Sequence, residues 1–325
     1  MDVANIIAIP PVTRIWLGSV LVISSAISLS LVHPAKLHYL LGASSWLRIF
    51  TTFSTWGEIG FQLLLRMMFA KVTCGNIEQS YILELGMFPR RVVRSLDERK
   101  RTLLKQKFEQ YKTFDFAWFL FQLAMSTIVA AHLQRYVTGT FVVPPWVMGY
   151  VLDNVLFYIS GKLTPEEGIP VFIVMVKKRY AFWAFSFINY FLSDEFLTIP
   201  QMYSQWGTLQ TIRFIATGPV LWCTISKSLI GHFWWFVRYY LLEDLYNESK
   251  TVSREAWQSA FDAYETRDPL KEKLKTVVGD VLRFIVLPPW YTVIVPRLIQ
   301  EELVQEEPED EEPVAEEPEL IGEVQ

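Results

Sequence analysis

The chain has 325 residues, of which 51% are apolar and 15% aromatic, and its mean hydropathy is +0.23. This composition excludes an ordinary soluble domain, whereas 20% charged residues exclude a chain that lies wholly in lipid. The formal net charge is −4, but residues 301–325 hold twelve acidic residues and no Lys or Arg, so the remainder is net basic. We therefore predict a membrane domain with water-exposed segments.

An uncharged stretch near the start predicts the first membrane span. Residues 15–32 carry no charge, and a helix of this length covers most of the roughly 30 Å hydrocarbon layer. The residues before it lack a basic n-region and a small-residue cleavage site, so we expect a retained span rather than a signal peptide.

Further apolar stretches predict five more spans. They lie at 57–76, 114–133, 143–161, 180–199 and 214–237. The fifth is short, because only residues 180–193 are free of charge, and it predicts a partly interfacial helix. The predicted fold class is all-α: a polytopic membrane protein with six transmembrane helices over residues 1–242.

The connections between the spans predict the orientation. Residues 77–113 contain nine Lys or Arg and residues 162–179 contain four, whereas each alternate connection contains one or two. Basic residues are retained on the cytoplasmic side, so both termini are expected in the cytosol. The cytosolic insert 77–113 is predicted to be helical over 92–111, either lying near anionic headgroups or serving as a docking surface for a soluble partner.

Residues 243–300 follow the sixth span and predict a cytosolic segment. Aromatic residues at helical spacing over 257–264 indicate an amphipathic helix. The apolar stretch 281–295 contains Arg283 and is broken by Pro288-Pro289, which favours an interfacial segment over a seventh crossing. The acidic tail 301–325 is too polar to bury a core and is expected to be disordered.

The two cysteines indicate no metal or disulfide chemistry. Cys74 and Cys223 lie in or beside apolar segments, with no CxxC and no nearby His pair. We expect buried, inert thiols. No metal, cofactor or nucleic-acid partner is predicted.

Short elements, in a fixed order along the chain, carry a family resemblance. A Pro-Pro-x-Thr-Arg stretch precedes span one, Gly and Glu flank span two, and Gly-His and Glu-Asp accompany the last span. Their positions are Pro10, Pro11, Thr13, Arg14, Gly57, Glu78, Gly231, His232, Glu243 and Asp244. The chain thereby resembles the Derlin (Der1-like) family, rhomboid-related pseudoproteases of the endoplasmic reticulum membrane.

The resemblance covers about residues 7–246 and has two departures. The insert 79–112 has no counterpart, and Val72-Thr73 stand where the family has Arg-Tyr. The resemblance implies a rhomboid-like fold that assists retrotranslocation of misfolded clients with a membrane ubiquitin ligase complex and an AAA ATPase. The Phe-x-Gly pattern that binds this ATPase is missing after Glu243, so any recruitment of the ATPase is expected to be indirect.

The first lumenal loop contains an element similar to the Trp-Arg element of the family. It comprises Trp46, Arg48 and Phe50, although Leu47 separates the Trp from the Arg. We expect an interfacial hairpin, with aromatic rings at headgroup level and Arg48 bonded to carbonyls or phosphates. An ordinary aromatic belt explains the rings equally well.

An active rhomboid protease requires a Gly-x-Ser-Gly turn and a His base, because Ser is a poor nucleophile alone. Ser160-Gly161 and His232 superficially fit, but Tyr158 stands where the first Gly belongs. Ser160 is also predicted at the cytosolic end of its span. We therefore predict that the protein is not an enzyme, and that His232 is a packed or groove-lining residue.

Ionisable residues within the spans are the strongest functional candidates, since each costs a few kcal/mol at the bilayer centre. Arg66, Asp153 and Lys227 fall in the middle thirds of spans two, four and six. Together with Asn154 and His232, they predict an intramembrane polar groove. Two interpretations remain open: an ion pair that only joins the helices, or the lining of a wet lateral cavity beside a thinned bilayer.

A wet cavity would have a physical purpose. A polypeptide that crosses the membrane there keeps its backbone N–H and C=O groups hydrated, which avoids the free-energy cost of removing their water in lipid. An alternative function uses the same charges as a substrate or proton site in a membrane transporter or lipid-handling protein. Many transporters contain internal repeats, and none is visible here.

Overall fold

The computed structural model describes residues 9–39, 46–89, 92, 96–138, 148–171, 174–191, 193–241, 277, 279 and 281–305. The predicted amphipathic helix over 257–264, Glu243, Asp244 and most of the acidic tail lie outside these residues. The described part is mostly helical. It contains three helical stretches that are long and apolar enough to cross a membrane: Pro11–Ser28, Glu98–Tyr136 and Phe196–Tyr239.

Four α-helices form the N-terminal half of the described chain. They are α1 (Pro11–Ser28), α2 (Trp46–Ser54), α3 (Phe61–Ser80) and α4 (Glu98–Thr138). Short 3-10 turns at Pro34–Lys36 and Leu85–Met87 interrupt the connections.

The C-terminal half contains the remaining helices and a small antiparallel sheet. The helices are α5 (Met148–Leu163), α6 (Lys178–Phe191), α7 (Asp194–Thr217), α8 (Pro219–Trp235) and α9 (Tyr291–Gln305). A π-helix, Phe236–Leu241, extends α8. Strands β1 (Gly168–Val171) and β2 (Val174–Lys177) pair with Gly168 opposite Lys177.

The first, third and sixth predicted spans coincide with the three membrane-length stretches. The predicted second, fourth and fifth spans are helices too, namely α3, α5 and α6. These helices are shorter or carry charges within them. A six-span, rhomboid-like topology therefore stays a prediction.

Two local expectations differ from the structure. The cytosolic insert and the third span form one continuous helix, because residues 98–138 contain neither Pro nor Gly to end it. The basic connection 162–179 contains the hairpin β1–β2, so the fold is not purely α. Lys177 donates a hydrogen bond to Glu166, and Lys178 donates one to Glu167. These hydrogen bonds lower the pKa of both carboxyl groups.

The predicted fifth span ends earlier than expected. Helix α6 stops at Phe191, and the Ser193 hydroxyl accepts the N–H of Phe196 as the N-cap of α7. Within α7, Gly207 has a left-handed φ of 77° that divides the helix, a conformation that Gly adopts without steric penalty. Gly218 then separates α7 from α8, which begins with Pro219. The sixth predicted span is therefore interrupted near its start.

Helix α5 lies at the centre of the bundle and contacts α2, α3, α4, α6 and α8. Two glycines permit this close packing. A Cβ on Gly149 would lie 2.4 Å from Trp56 Nε1, and one on Gly231 of α8 would lie 2.7 Å from Tyr158 Cδ1. Any larger side chain would force these helices apart.

Helix α1 has apolar side chains on its outer face as well as on its inner face. Trp16 and Val20 are buried, whereas Ile15, Leu21 and Val22 are exposed. Such exposure is unfavourable in water and favourable against lipid. The helix therefore has the surface expected of a membrane span.

Candidate functional site

Tyr150 of α5 organises the buried charges. Its ring lies between two cations: Arg66 Cζ of α3 is 4.6 Å from the ring centroid, and Lys227 Nζ of α8 is 4.7 Å from it. A cation over a Tyr ring is attracted by the ring quadrupole, by about 2 kcal/mol when desolvated. One turn further along α5 lies Asp153. We call Arg66, Tyr150, Asp153 and Lys227 the Tyr150 cluster.

Asp153 interacts with the two cations at long range. Its side chain is buried, with 8% of the residue exposed, and both Arg66 and Lys227 act electrostatically on its carboxylate. Among the described residues, however, no hydrogen bond or ion pair within 4.0 Å reaches that carboxylate. The structure thus brings the three predicted charges together around an aromatic ring rather than into a tight ion pair.

The cluster reaches a fourth helix through the Tyr150 hydroxyl. Asn189 Nδ2 of α6 donates to this oxygen at 3.1 Å. The predicted groove residue Asn154 instead donates to the backbone carbonyl of Tyr150 at 2.7 Å, one turn back in its own helix. Helices α3, α5, α6 and α8 are therefore connected at Tyr150.

His232 belongs to a different cluster. Its Nδ1 pairs with the Tyr158 hydroxyl at 3.2 Å, and Lys162 Nζ lies 5.5 Å from the Tyr158 ring. Tyr158 is eight residues from Tyr150, about 12 Å along the helix. The structure thus places His232 beside Tyr158, about two turns of α5 from Tyr150. Ser160 is buried near the end of α5, and its carbonyl accepts the N–H of Thr164.

The motif residues before the first span contact the end of the second. The Glu78 carboxylate of α3 accepts the N–H of Val12 at 2.9 Å, the N–H of Thr13 at 2.8 Å and the Thr13 hydroxyl at 2.8 Å. First-turn N–H groups have no partner within their own helix, and the N-terminal helix dipole favours an anion there. Pro11 suits this turn because it lacks the N–H.

Four of the motif positions thus gain a structural explanation. Thr13 and Glu78, quoted separately for the resemblance, form one contact that fixes α1 against α3. Gly57 has a left-handed φ of 102°, which Gly tolerates best, and Arg14 is exposed. Gly231 allows the approach of α8 to Tyr158.

The element at residues 46–50, predicted to be lumenal, lies in helix α2, and the C-terminal end of α2 contacts the middle of α1. Ser54 and Ser19 share a hydrogen bond of 2.7 Å, and Ser19 is eight residues from the start of α1. The chain then returns to the far end of α1, where the N–H of Ile59 bonds to Ser28. Phe50 is exposed and Arg48 is half-buried; the side chain of Trp46 lies outside the described set. Their interfacial position stays a prediction.

Sequence reasoning missed a second buried charge centre, which lies just after the predicted sixth span. Arg238 is 1% exposed and donates to the Tyr81 hydroxyl, to Gln122 Oε1 at 3.3 Å and to the carbonyl of Val286 at 3.1 Å. Its guanidinium carbon lies 4.4 Å from the Phe119 ring centroid. The only feature of the sequence that pointed to this centre was the position of Arg238, one residue after the predicted end of the sixth span.

A buried acid accompanies Arg238. Asp115 of α4 accepts Trp290 Nε1 at 2.9 Å on one carboxylate oxygen and the Tyr291 hydroxyl at 2.7 Å on the other. Arg238 also acts on this carboxylate electrostatically. We call Tyr81, Asp115, Gln122 and Arg238 the Arg238 network, and residues 281–305 the C-terminal arm that they hold.

Comparison with known proteins finds no relative. No family model, curated protein or solved structure matches the chain. The Derlin resemblance therefore stays a prediction that rests on the short elements above. Within the described ranges, no three His, Cys, Asp or Glu residues are grouped so that they could hold a metal ion.

Proposed function

We propose that this chain is a non-catalytic, Derlin-like protein of the endoplasmic reticulum membrane that assists the passage of misfolded polypeptides from the lumen to the cytosol. The observation that carries the proposal is the Tyr150 cluster. Three ionisable side chains from three helices meet there, around one ring, in a protein that has three helical stretches long and apolar enough to cross a membrane.

The chemistry of the cluster suits a hydrated groove. A charge in the bilayer interior is expensive unless it is paired or turned toward water. Within the described residues, Asp153 accepts no hydrogen bond, so water is the partner that would best satisfy it. Water at this depth lowers the free-energy cost of bringing unpaired backbone N–H and C=O groups of a client through the membrane.

The neighbouring helix supports a locally thin bilayer. Helix α6 has 14 residues, about 21 Å of helix, against the roughly 30 Å of a hydrocarbon layer. A short hydrophobic element thins the bilayer beside it. Since Asn189 ties α6 to Tyr150, the thinned region would adjoin the polar cluster.

The proposal includes partners and location. The chain would act in the endoplasmic reticulum with both termini in the cytosol, together with a membrane ubiquitin ligase complex. An AAA ATPase would be recruited indirectly. No proteolytic step is assigned, since the hydrogen bond of His232 goes to Tyr158 rather than to Ser160.

Turnover of a misfolded lumenal glycoprotein tests the proposal in cells that carry only variant chains. Lys227→Leu removes a cluster charge, and Lys105→Leu removes an exposed charge of α4 as the matched control. We expect client loss to slow with Lys227→Leu and to stay unchanged with Lys105→Leu and with Ser160→Ala. Equal turnover for all variants at equal chain levels would overturn the proposal.

A transporter or lipid-handling protein is the second candidate, because Asp153 between two cations is also suited to binding a proton or a charged substrate. Purification distinguishes the two. Co-isolation of a ubiquitin ligase and ubiquitylated clients favours the first function, whereas a small molecule retained at the Tyr150 cluster favours the second.

A further inference from the structure

Helix α4 contains a sharp boundary between a charged and an uncharged half. Residues 98–112 are rich in Lys, Arg and Glu, whereas residues 116–134 carry no formal charge. Asp115 lies where the two halves meet. In a helix that crosses a membrane, such a change marks the border between the headgroup region and the hydrocarbon layer.

The C-terminal arm is fastened on both sides of this boundary. At the boundary, Trp290 and Tyr291 donate to Asp115, and the Trp290 ring lies 6.1 Å from that of Trp118. Within the uncharged half, Gln122 Nε2 donates to the carbonyl of Ile285. Gln122 is seven residues beyond Asp115, about 10 Å further along the helix. The backbone at Ile285 therefore lies beside the uncharged half of α4, the half expected in the hydrocarbon layer.

The backbone of this segment is adapted to a medium without water. Pro288 and Pro289 have no N–H, so the carbonyls of Phe284 and Ile285 lose their donors four residues later. An unpaired carbonyl costs several kcal/mol in lipid. Side chains of the Arg238 network donate to this stretch of backbone: Gln122 replaces the lost donor of Ile285, and Arg238 donates to the next carbonyl, that of Val286.

In residues 281–286, apolar side chains are exposed and the Arg side chain is buried, which is the reverse of the arrangement expected in water. Phe284 is 79% exposed, and Val281 and Ile285 are exposed beside it. Arg283 is buried instead, with its Nε directed at the carbonyl of Gly86 at 3.4 Å. A helix in water would present the Arg and bury the Phe. Phe114 and Phe121 of α4 are also exposed.

We propose that residues 281–286 form a re-entrant membrane element, which enters the hydrocarbon layer, turns at Pro288-Pro289 and leaves it at Trp290. Lipid acyl chains cover Phe284. The Arg238 network holds the turn by donating to the carbonyls of Ile285 and Val286. This role anchors the C-terminal arm to the bilayer and does not depend on the proposed transport of clients.

Site-directed spin labelling of the full chain in lipid nanodiscs tests the element. Phe284→Cys carries the label in a chain with Cys223→Ala, while Cys74 is buried and stays. Leu103→Cys, an exposed apolar position in the charged half of α4, is the matched control. An unfolding temperature equal to that of the parent chain verifies that each labelled protein is folded.

We expect the label at 284 to be relaxed several-fold more by oxygen, which concentrates in lipid, than by a water-soluble nickel chelate. The order should reverse at 103. Preferential relaxation by nickel at 284 would place the segment in water and overturn the proposal. Protection from both reagents would also overturn it, because a protein surface rather than lipid would then cover Phe284.

Discussion

The Tyr150 cluster and the Arg238 network both bury charges between helices, but they satisfy them differently. Both carboxylate oxygens of Asp115 accept hydrogen bonds, and Arg238 donates to two side chains and one carbonyl. Asp153, by contrast, accepts no hydrogen bond within the described chain, and Lys227 faces a ring. In the Arg238 network, protein donors and acceptors reach both oxygens of Asp115 and both terminal nitrogens of Arg238, and Arg238 Nε alone of these atoms is buried without a partner in the described chain. The Tyr150 cluster leaves more capacity for water.

This difference in hydrogen bonding distinguishes charges that stabilise the fold from charges that serve the function. A fully bonded buried charge is expensive to disturb, since removal of one partner strands the others. A charge without direct partners contributes less to stability. A role in the function of the protein therefore explains the presence of such a charge better than a role in stability does. We therefore expect variants of the Arg238 network to lose stability, and variants of the Tyr150 cluster to lose activity.

Arg238→Met should have the largest effect. It removes the donors to Tyr81, Gln122 and Val286 and should lower the free energy of unfolding by roughly 3 kcal/mol or more. Arg179→Met, which breaks a surface pair with Glu166, should change it far less, because solvent screens exposed ion pairs. Denaturant unfolding in mild detergent compares the two variants. If they were equally stable, the buried hydrogen bonds of Arg238 would contribute no more than a surface ion pair.

Glu78→Ala extends the comparison to a third, fully bonded acid. It leaves the N–H groups of Val12 and Thr13 without an acceptor, and we expect a loss of roughly 2 kcal/mol. Glu78→Gln keeps one acceptor oxygen and should lose less. The same unfolding assay measures both variants. If the Ala variant were more stable than the Gln variant, the hydrogen bonds of Glu78 would not be what holds α1 against α3.

Gly231→Ala tests how closely α5 and α8 must pack between the two charge centres. Its new Cβ would lie 2.7 Å from Tyr158, so we expect a loss of roughly 1–3 kcal/mol. Gly18→Ala is the matched control, because nothing lies within 4 Å of the corresponding Cβ in α1. If thermal unfolding responds equally to the two changes, the close approach of the helices is not a constraint.

Asp153→Asn should have the smallest effect on stability. The carboxylate has no direct partner to strand among the described residues, so we expect a change of about 1 kcal/mol or less. Client turnover should nevertheless slow. A large loss of stability in the unfolding assay would instead mark Asp153 as a structural charge, like Asp115.

The sequence predicted the charges of the Tyr150 cluster better than their arrangement. Arg66, Asp153 and Lys227 were expected in the middle thirds of their spans, and they do surround one point. Tyr150 was missed because one Tyr within an aromatic-rich span is indistinguishable from a packing residue. His232 was grouped with them, although its bond to Tyr158 lies elsewhere.

Contacts between distant segments could not be predicted. Glu78 and Thr13 were both quoted as motif positions, but no periodicity connects residues 65 positions apart. The Arg238 network depends on contacts of α4 with the C-terminal arm, across more than 160 residues. The continuity of α4 was missed because a change from charged to apolar residues was interpreted as a boundary between elements.

Water access to the Tyr150 cluster is the most direct test of its function. In proteoliposomes, Asn189→Cys lies beside the Tyr150 hydroxyl, and Leu229→Cys lies on the exposed face of α8; both are made with Cys223→Ala. Only a hydrated thiol ionises and reacts with a water-soluble thiosulfonate. We predict that the Cys at 189 reacts many times faster than the Cys at 229. Equally slow reaction at both positions would mean that the cluster is dry and would contradict the proposed groove.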